Sequence, residues 1–293
     1  MTKQIITPAN NYSCNKDLDK FGFCCSEIKD RYISLPNGVD LRVVSFFSSK
    51  SNYLPVVMIT GLASVMESSR EITRALSQKY TVHYLETREK ISSRTNGSRD
   101  FGIEAIGEDI VQVISELGLG NKNYILFGAS LGATAIVNSF RTLECKPLAL
   151  ILLEPNASFK IPHWSIPLIH LSSYTYRFIK PIAKFYIKNY RVNIKEDYEM
   201  YEISSRAIDA ADPYKLKKTV LAMSRYKIWN CLDAVDVPTL IIAASKDHFH
   251  NHEEMVIMAD QIKDCTLIDL ETHQRTHSQE FVDNFQDFII GLH

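Results

Sequence analysis

Tyr124-Ile125-Leu126-Phe127-Gly128-Ala129-Ser130-Leu131-Gly132 decides how this chain is read. Four apolar residues ending at a glycine form the signature of a short buried strand. Ala133 to Phe140 then follows a helical pattern. Between them lies Gly-x-Ser-x-Gly, whose chemical meaning depends on sitting between a strand and a helix. A turn that sharp forces Ser130 into strained backbone angles, and only small neighbours let the chain close around it. The hydroxyl then projects above the sheet edge at the positive end of a helix, where developing negative charge is stabilised. Ser130 is the candidate nucleophile.

Working outward, similar apolar runs recur. Pro55 to Thr60, Val82 to Leu85, Leu148 to Leu153, Thr239 to Ala244 and Thr266 to Leu270 all read as strands. Continuous apolar runs suit parallel strands covered on both faces. Upstream, Arg31 to Leu35 and Leu41 to Phe47 flank Pro36-Asn37-Gly38, a hairpin turn. Ile106, Ile110, Val113, Ile114 and Leu117 recur at helical spacing, as do Phe281, Phe285, Phe288 and Ile289. Strands alternating with helices predict an α/β chain with a mostly parallel sheet flanked by helices. The alternation breaks between Leu153 and Thr239, where a helical insertion is expected rather than a structureless loop. The division that follows is an N-terminal arm at 1–29, a core at 30–156 and 229–293, and a helical lid at 157–228.

Bulk properties exclude several classes. The 293 residues carry a formal net charge of −1, with 23% charged and 45% apolar residues, so nothing draws the chain to nucleic acid. The six cysteines, Cys14, Cys24, Cys25, Cys145, Cys231 and Cys265, include no CxxC pair. The polar start lacks an apolar leader, and no run is long and apolar enough to span a membrane, which leads to the expectation of a cytoplasmic protein.

A serine nucleophile needs donors for the oxyanion, a base, and a group that orients the base. Leu131, directly after Ser130, is one expected backbone donor. Leu62, in the loop Thr60-Gly61-Leu62-Ala63-Ser64, is the other, with Gly61 bringing that loop close to the substrate. Asp247 follows the strand Thr239 to Ala244 on the rim that carries Ser130 and is the expected acid, with Glu154 as a rival. The base is sought after the last strand. His277 abuts the start of the last helix, where Thr276 and Gln279 fit a capping box, and His273 lies closer to the strand end; counting from either element leaves both open, with His277 favoured. His248, His250 and His252 alternate after Asp247, but no further carboxylate or histidine spacing supports a metal there. Neither metal nor cofactor is expected.

The order Gly61 loop, Ser130 elbow, Asp247, then His273 or His277 resembles the α/β-hydrolase family from about residue 30 onward. Val237-Pro238-Thr239-Leu240-Ile241-Ile242 and Ser278-Gln279-Glu280-Phe281 also look like that family. The resemblance implies the α/β-hydrolase fold, an eight-stranded, mostly parallel sheet with a helical lid inserted after the sixth strand. There are departures. Thr60-Gly61 stands where the family often has His-Gly. Glu86-Thr87-Arg88-Glu89-Lys90-Ile91-Ser92-Ser93 replaces Asp-x-Arg-Gly-x-Gly-x-Ser, keeping Arg88 and a serine but not the glycines. Threonine, not glycine, precedes both late histidines.

The expected activity is a serine hydrolase, a carboxylesterase or thioesterase working through an acyl-enzyme on Ser130. The alternatives are an acyltransferase with the same triad and a non-catalytic ligand-binding protein on this fold. In the lid, Trp164, Phe159, Tyr174, Tyr176 and Phe178 either pack among themselves or line an apolar pocket above Ser130, with Trp164 and Tyr174 the expected contacts of a small-molecule acyl substrate. Arg177, Lys180, Lys184, Lys188 and Arg191 recur at three and four and share one helix face. Either that basic face is solvated with the acidic stretch from Glu196 to Glu202 folded back on it, or it docks an acidic acyl carrier or an anionic membrane surface.

Overall fold

The antiparallel hairpin predicted around Pro36-Asn37-Gly38 opens the sheet. Strand β1 (Glu27–Ser34) pairs with β2 (Asp40–Phe47) from Glu27 opposite Phe47 to Ser34 opposite Asp40. The pairing starts four residues before the strand read from the sequence, because Glu27 to Asp30 still find partners along Val44 to Phe47. This computed structural model describes residues 18–22, 27–48, 53–159, 175–192, 194, 198–247 and 250–292.

Six further strands follow: β3 (Val56–Ile59), β4 (Val82–Leu85), β5 (Ile125–Ala129), β6 (Ala149–Leu153), β7 (Thr239–Ala243) and β8 (Cys265–Asp269). They form one eight-stranded sheet in the order β1-β2-β4-β3-β5-β6-β7-β8. β2 runs antiparallel to β4, and all later pairs are parallel. Every residue of β3, β4, β6 and β7 is buried. Alternate residues feed two cores, as a period of two requires. Val57, Ile59, Leu126, Leu150, Leu152 and Ile241 pack on one face with α2 (Ile103–Glu116) and α3 (Leu131–Ser139). Val56, Met58, Phe127, Ile151, Leu153 and Ile242 pack on the other with α1 (Arg70–Leu76) and the C-terminal helix Gln279–Ile290. Each fully buried Val, Leu, Ile or Phe contributes about 1.5–3 kcal/mol.

The chain leaves β3 toward β4 on one side and reaches β5 on the other, so the connections diverge between β3 and β5. That is where open α/β sheets leave a crevice at their strand ends.

The loop after β4, whose path the missing glycines left open, is held by charge. Arg88 is buried and donates through Nε and Nη2 to Asp109 of α2 at 2.7 and 2.6 Å, and through Nη1 to the Asp100 carbonyl.

Between β6 and β7 lie α4 (Tyr176–Tyr186), continued by a π-turn over Ile187–Arg191, α5 (Tyr198–Ala210) and α6 (Pro213–Met223). Asp212 caps α6, accepting from the N–H groups of Tyr214 and Lys215, with Pro213 in the first turn. The basic residues expected to share one face of α4 do not act together. Lys180 donates to the Asp209 carbonyl, and Lys184 pairs with the Asp209 carboxylate at 2.6 Å, so α5 engages these two at the surface. Arg177 and Lys188 stay exposed. Trp164 and Tyr174 lie outside the described residues. Among the described residues, no helix is long and apolar enough to cross a membrane.

Candidate active site

Ser130 sits at φ 49°, ψ −112°, between the end of β5 and the first residue of α3. This strained geometry is the one expected of the turn, and the two glycines permit it by proximity. A Cβ on Gly128 would lie 2.6 Å from Ala133 Cα, and one on Gly132 would lie 2.5 Å from the Ile59 carbonyl oxygen. The Ser130 N–H donates to Leu153 of β6 at 2.9 Å, and its carbonyl accepts from Thr134 N–H, so both sides of the apex are anchored.

Two groups reach the Ser130 hydroxyl. His250 Nε2 lies 3.0 Å from Oγ, and Asn156 Nδ2 donates to Oγ at 3.0 Å. His250 Nδ1 in turn lies 2.5 Å from Asp247 Oδ2. With the ring proton on Nδ1, His250 donates to Asp247 and leaves Nε2 to accept from Ser130, while Oγ accepts from Asn156. Asn156 is itself fixed: its carbonyl accepts from Thr134 Oγ1 at 2.9 Å.

The sequence pointed to His277 or His273 for the imidazole; the structure instead brings His250 to Ser130. The reason is local. Asp247 and His250 are three apart between β7 and α7 (His252–Gln261), and the ring meets the carboxylate through Nδ1. His273 and His277 bracket a short helix, α8 (His273–Thr276), and their rings stack with centroids 3.9 Å apart. The capping box also differs. Thr276 Oγ1 bonds the His273 carbonyl, and Ser278 caps the following helix, α9 (Gln279–Ile290), by accepting from Glu280 N–H. The surrounding side chains, and then His273, push the His277 imidazole down to about 3. It is neutral near pH 7 and a weak base.

Glu154 ends β6 at φ 47° and is buried. Its Oε2 lies 3.6 Å from His250 Nδ1 and 3.7 Å from His273 Nδ1. Burial raises its carboxyl, but the attraction of His250 and His273 outweighs this and holds it well below the usual carboxylate range. The rival acid therefore joins the same cluster as Asp247. It also alters the metal argument, because a carboxylate does stand beside the histidines. Glu154, Asp247 and His250 bring ligand atoms within 4.8 Å of one another, a donor set that suits a divalent cation. A cation there would compete with Asp247 for His250 Nδ1. His248 lies outside the described residues, and His252 opens α7.

The loop after β3 lies against the elbow. A Cβ on Gly61 would come 3.3 Å from Ser130 Cβ. The Gly61 carbonyl accepts from Ser64 Oγ at 3.0 Å and from the buried Lys90 ammonium. Lys90 also donates to Ser64 Oγ at 3.0 Å, and its own carbonyl accepts from Lys215 of α6 at 2.8 Å. Because the C=O of one residue and the N–H of the next point opposite ways in a planar peptide, clamping Gly61 O fixes the direction of Leu62 N–H. Lys90 fills the variable position between the two missing glycines, whose places Glu89 and Ile91 take, and the sequence assigned it no role. Asn156 was also missed; its one sequence signal is its place just after the β6 strand end.

A cavity of about 870 Å³ opens over Ser130. Gly61, Leu62, Asn156, Asp247, His250, His273 and His277 border it at the sheet end. Its roof is a helical stripe, Met200, Ile203, Ala207 and Ile208 of α5, joined by Leu216, Val220 and Met223 of α6.

No family model and no curated protein sequence matches the chain. Solved structures do. A hydrolase from Pseudomonas aeruginosa PA01 superposes with a TM-score of 0.73 at 15% identity, covering 90% of this chain and 98% of its own. The enol-lactonase from Burkholderia xenovorans LB400 gives 0.73 at 16% identity, over 89% and 99%. A thermophilic esterase from Thermogutta terrifontis gives 0.71 at 19% identity, over 90% and 99%. With these likenesses, the strand order and the Ser130 elbow, the chain has the α/β-hydrolase fold.

Proposed function

We propose that this protein is a serine hydrolase that cleaves carboxylic esters or thioesters through an acyl-enzyme on Ser130. The observation that carries the reading is the continuous path Ser130 Oγ, His250 Nε2, His250 Nδ1, Asp247 Oδ2, at 3.0 and 2.5 Å. In it Ser130 attacks the carbonyl while His250 takes its proton, and Asp247 stabilises the imidazolium that forms. The oxyanion is met by the N–H groups of Leu131 and Leu62, while Asn156 Nδ2 donates to Ser130 Oγ itself. His250 returns the proton to the leaving alkoxide or thiolate. It then activates water, which releases the acid and restores Ser130.

The neighbours that carry the names hydrolase, enol-lactonase and esterase support this reading by fold. The apolar roof of the cavity favours an acyl chain over a polar substrate. The test is to mix the protein with p-nitrophenyl esters and acyl thioesters of graded length, quench, and weigh the intact chain. An acyl adduct on the peptide holding Ser130, absent in Ser130→Ala, supports the reading. Transfer to an added alcohol or amine in preference to water would make it an acyltransferase, and no adduct with any substrate would leave a binding protein.

A further inference from the structure

Helix α4 carries large apolar side chains on its solvent side as well as on its half-buried side, where Ile179, Ala183 and Tyr186 lie. A surface helix ordinarily faces its lysines to water and its apolar side chains to the core. Here Lys180 and Lys184 are instead engaged at the surface by Asp209 of α5. Phe178, Ile182 and Phe185 are 63%, 46% and 61% exposed. Their spacings of four and three set them on one face, and Pro181 between them is exposed as well. A contiguous group of large exposed apolar side chains marks a surface that meets something other than water.

The charge around that face indicates what it meets. Arg177 and Lys188 stand exposed toward its two ends. From Pro155 to Lys195 the sequence has no Asp or Glu. Aromatic and aliphatic side chains framed by basic ones are the chemistry of a helix lying in the headgroup layer of an anionic bilayer. An acidic carrier protein would be met by forward-facing lysines, but two of the lysines here are already engaged by Asp209.

We infer that α4 docks this protein on an anionic lipid surface through Phe178, Ile182 and Phe185, and that lipid acyl esters enter the cavity from there. The second half rests on the ester-cleaving reading; the docking half does not. The route is short. Ile187, in the π-turn that continues α4, lines the cavity, and α5, against which α4 packs, supplies the roof.

The test is co-sedimentation of the full chain with vesicles of phosphatidylcholine alone and of phosphatidylcholine mixed with phosphatidylglycerol. Wild type should bind the mixed vesicles, with weaker binding to phosphatidylcholine and at high salt. F178S/I182S/F185S should lose at least about tenfold in partitioning. R177E/K188E should lose the preference for phosphatidylglycerol. Both variants should cleave a soluble short-chain ester as wild type does. Equal vesicle binding by wild type and the triple variant would overturn the docking. A dimer that the triple variant abolishes, or capture of an acidic acyl carrier without vesicle binding, would assign the face elsewhere and overturn it too. Vesicle binding by a protein that forms no acyl adduct would keep the docking and remove only the delivery of esters.

Discussion

His250 Nδ1 lies 2.5 Å from Asp247 Oδ2 and 3.6 Å from Glu154 Oε2, so one imidazole faces two carboxylates. The strand ends explain how. Glu154 follows β6 and Asp247 follows β7, and these strands are neighbours in the sheet. With Asp247 removed, Glu154 remains beside the imidazole. Asp247→Ala should therefore retain at least about tenfold more kcat than His250→Ala, and Asp247→Ala/Glu154→Gln should fall to the His250→Ala level. Steady-state kinetics of the three variants on one p-nitrophenyl ester checks this. An Asp247→Ala variant as inactive as His250→Ala would show that Glu154 does not substitute.

Asn156 Nδ2 donates to Ser130 Oγ, the atom that gains negative charge as its proton leaves. Asn156→Ala should lower kcat by about 10- to 100-fold with little change in KM, the pattern of a contact that strengthens in the transition state. A rise in KM with kcat unchanged would instead make Asn156 a ground-state contact.

Lys90 should act on turnover through the Gly61 carbonyl. It is buried beside Glu89, 3.3 Å away, and burial lowers its ammonium below the ordinary lysine value despite that partner. Lys90→Met frees the Gly61–Leu62 peptide but also strands a buried carboxylate. In Glu89→Gln/Lys90→Met the stranded charge is gone. Thermal stability should recover in the double variant while kcat stays about tenfold or more below wild type. Recovery of both together would make Lys90 purely structural.

Acid should unfold this protein by charging histidines that the fold keeps neutral, His83 in the core and the half-buried His277. Burial, with Arg31 adding to it, pushes His83 down to about 4, and burial pushes His277 down to about 3. An unfolded chain takes up these protons near pH 6.5, before the folded one does. Stability therefore rises with pH across the window from about 4 to 6.5, and it is lost as pH falls through it. Each histidine contributes a slope of up to about 1.4 kcal/mol per pH unit. Urea unfolding at pH 7.5, 6 and 5 should show this decline, and His83→Asn should flatten it. An unchanged slope in that variant would contradict the assignment.

Much of this was legible in the sequence for identifiable reasons. The apolar runs at β3, β5, β6 and β7 announced parallel strands because those strands are covered on both faces. Gly128 and Gly132 announced the elbow because nothing larger fits beside Ala133 and Ile59. The edge strand β1 was shortened, because its outward residues are polar and only its pairing with β2 defines it. The imidazole was sought by chain order after β8. His250, in the alternating run after Asp247, was weighed only as a metal ligand and set aside, and spacing does not reveal that its ring meets Asp247. The basic residues of α4 were assigned one face by periodicity, which is blind to Asp209 engaging two of them.

The central claim is that His250 activates Ser130. The most direct measurement is the second-order rate of fluorophosphonate labelling at Ser130 in His250→Ala, His273→Ala and His277→Ala, each with stability confirmed. The account predicts a loss of about 10³-fold or more for His250→Ala and less than about tenfold for the other two. Near-normal labelling of His250→Ala, with labelling abolished in His273→Ala or His277→Ala, would contradict it.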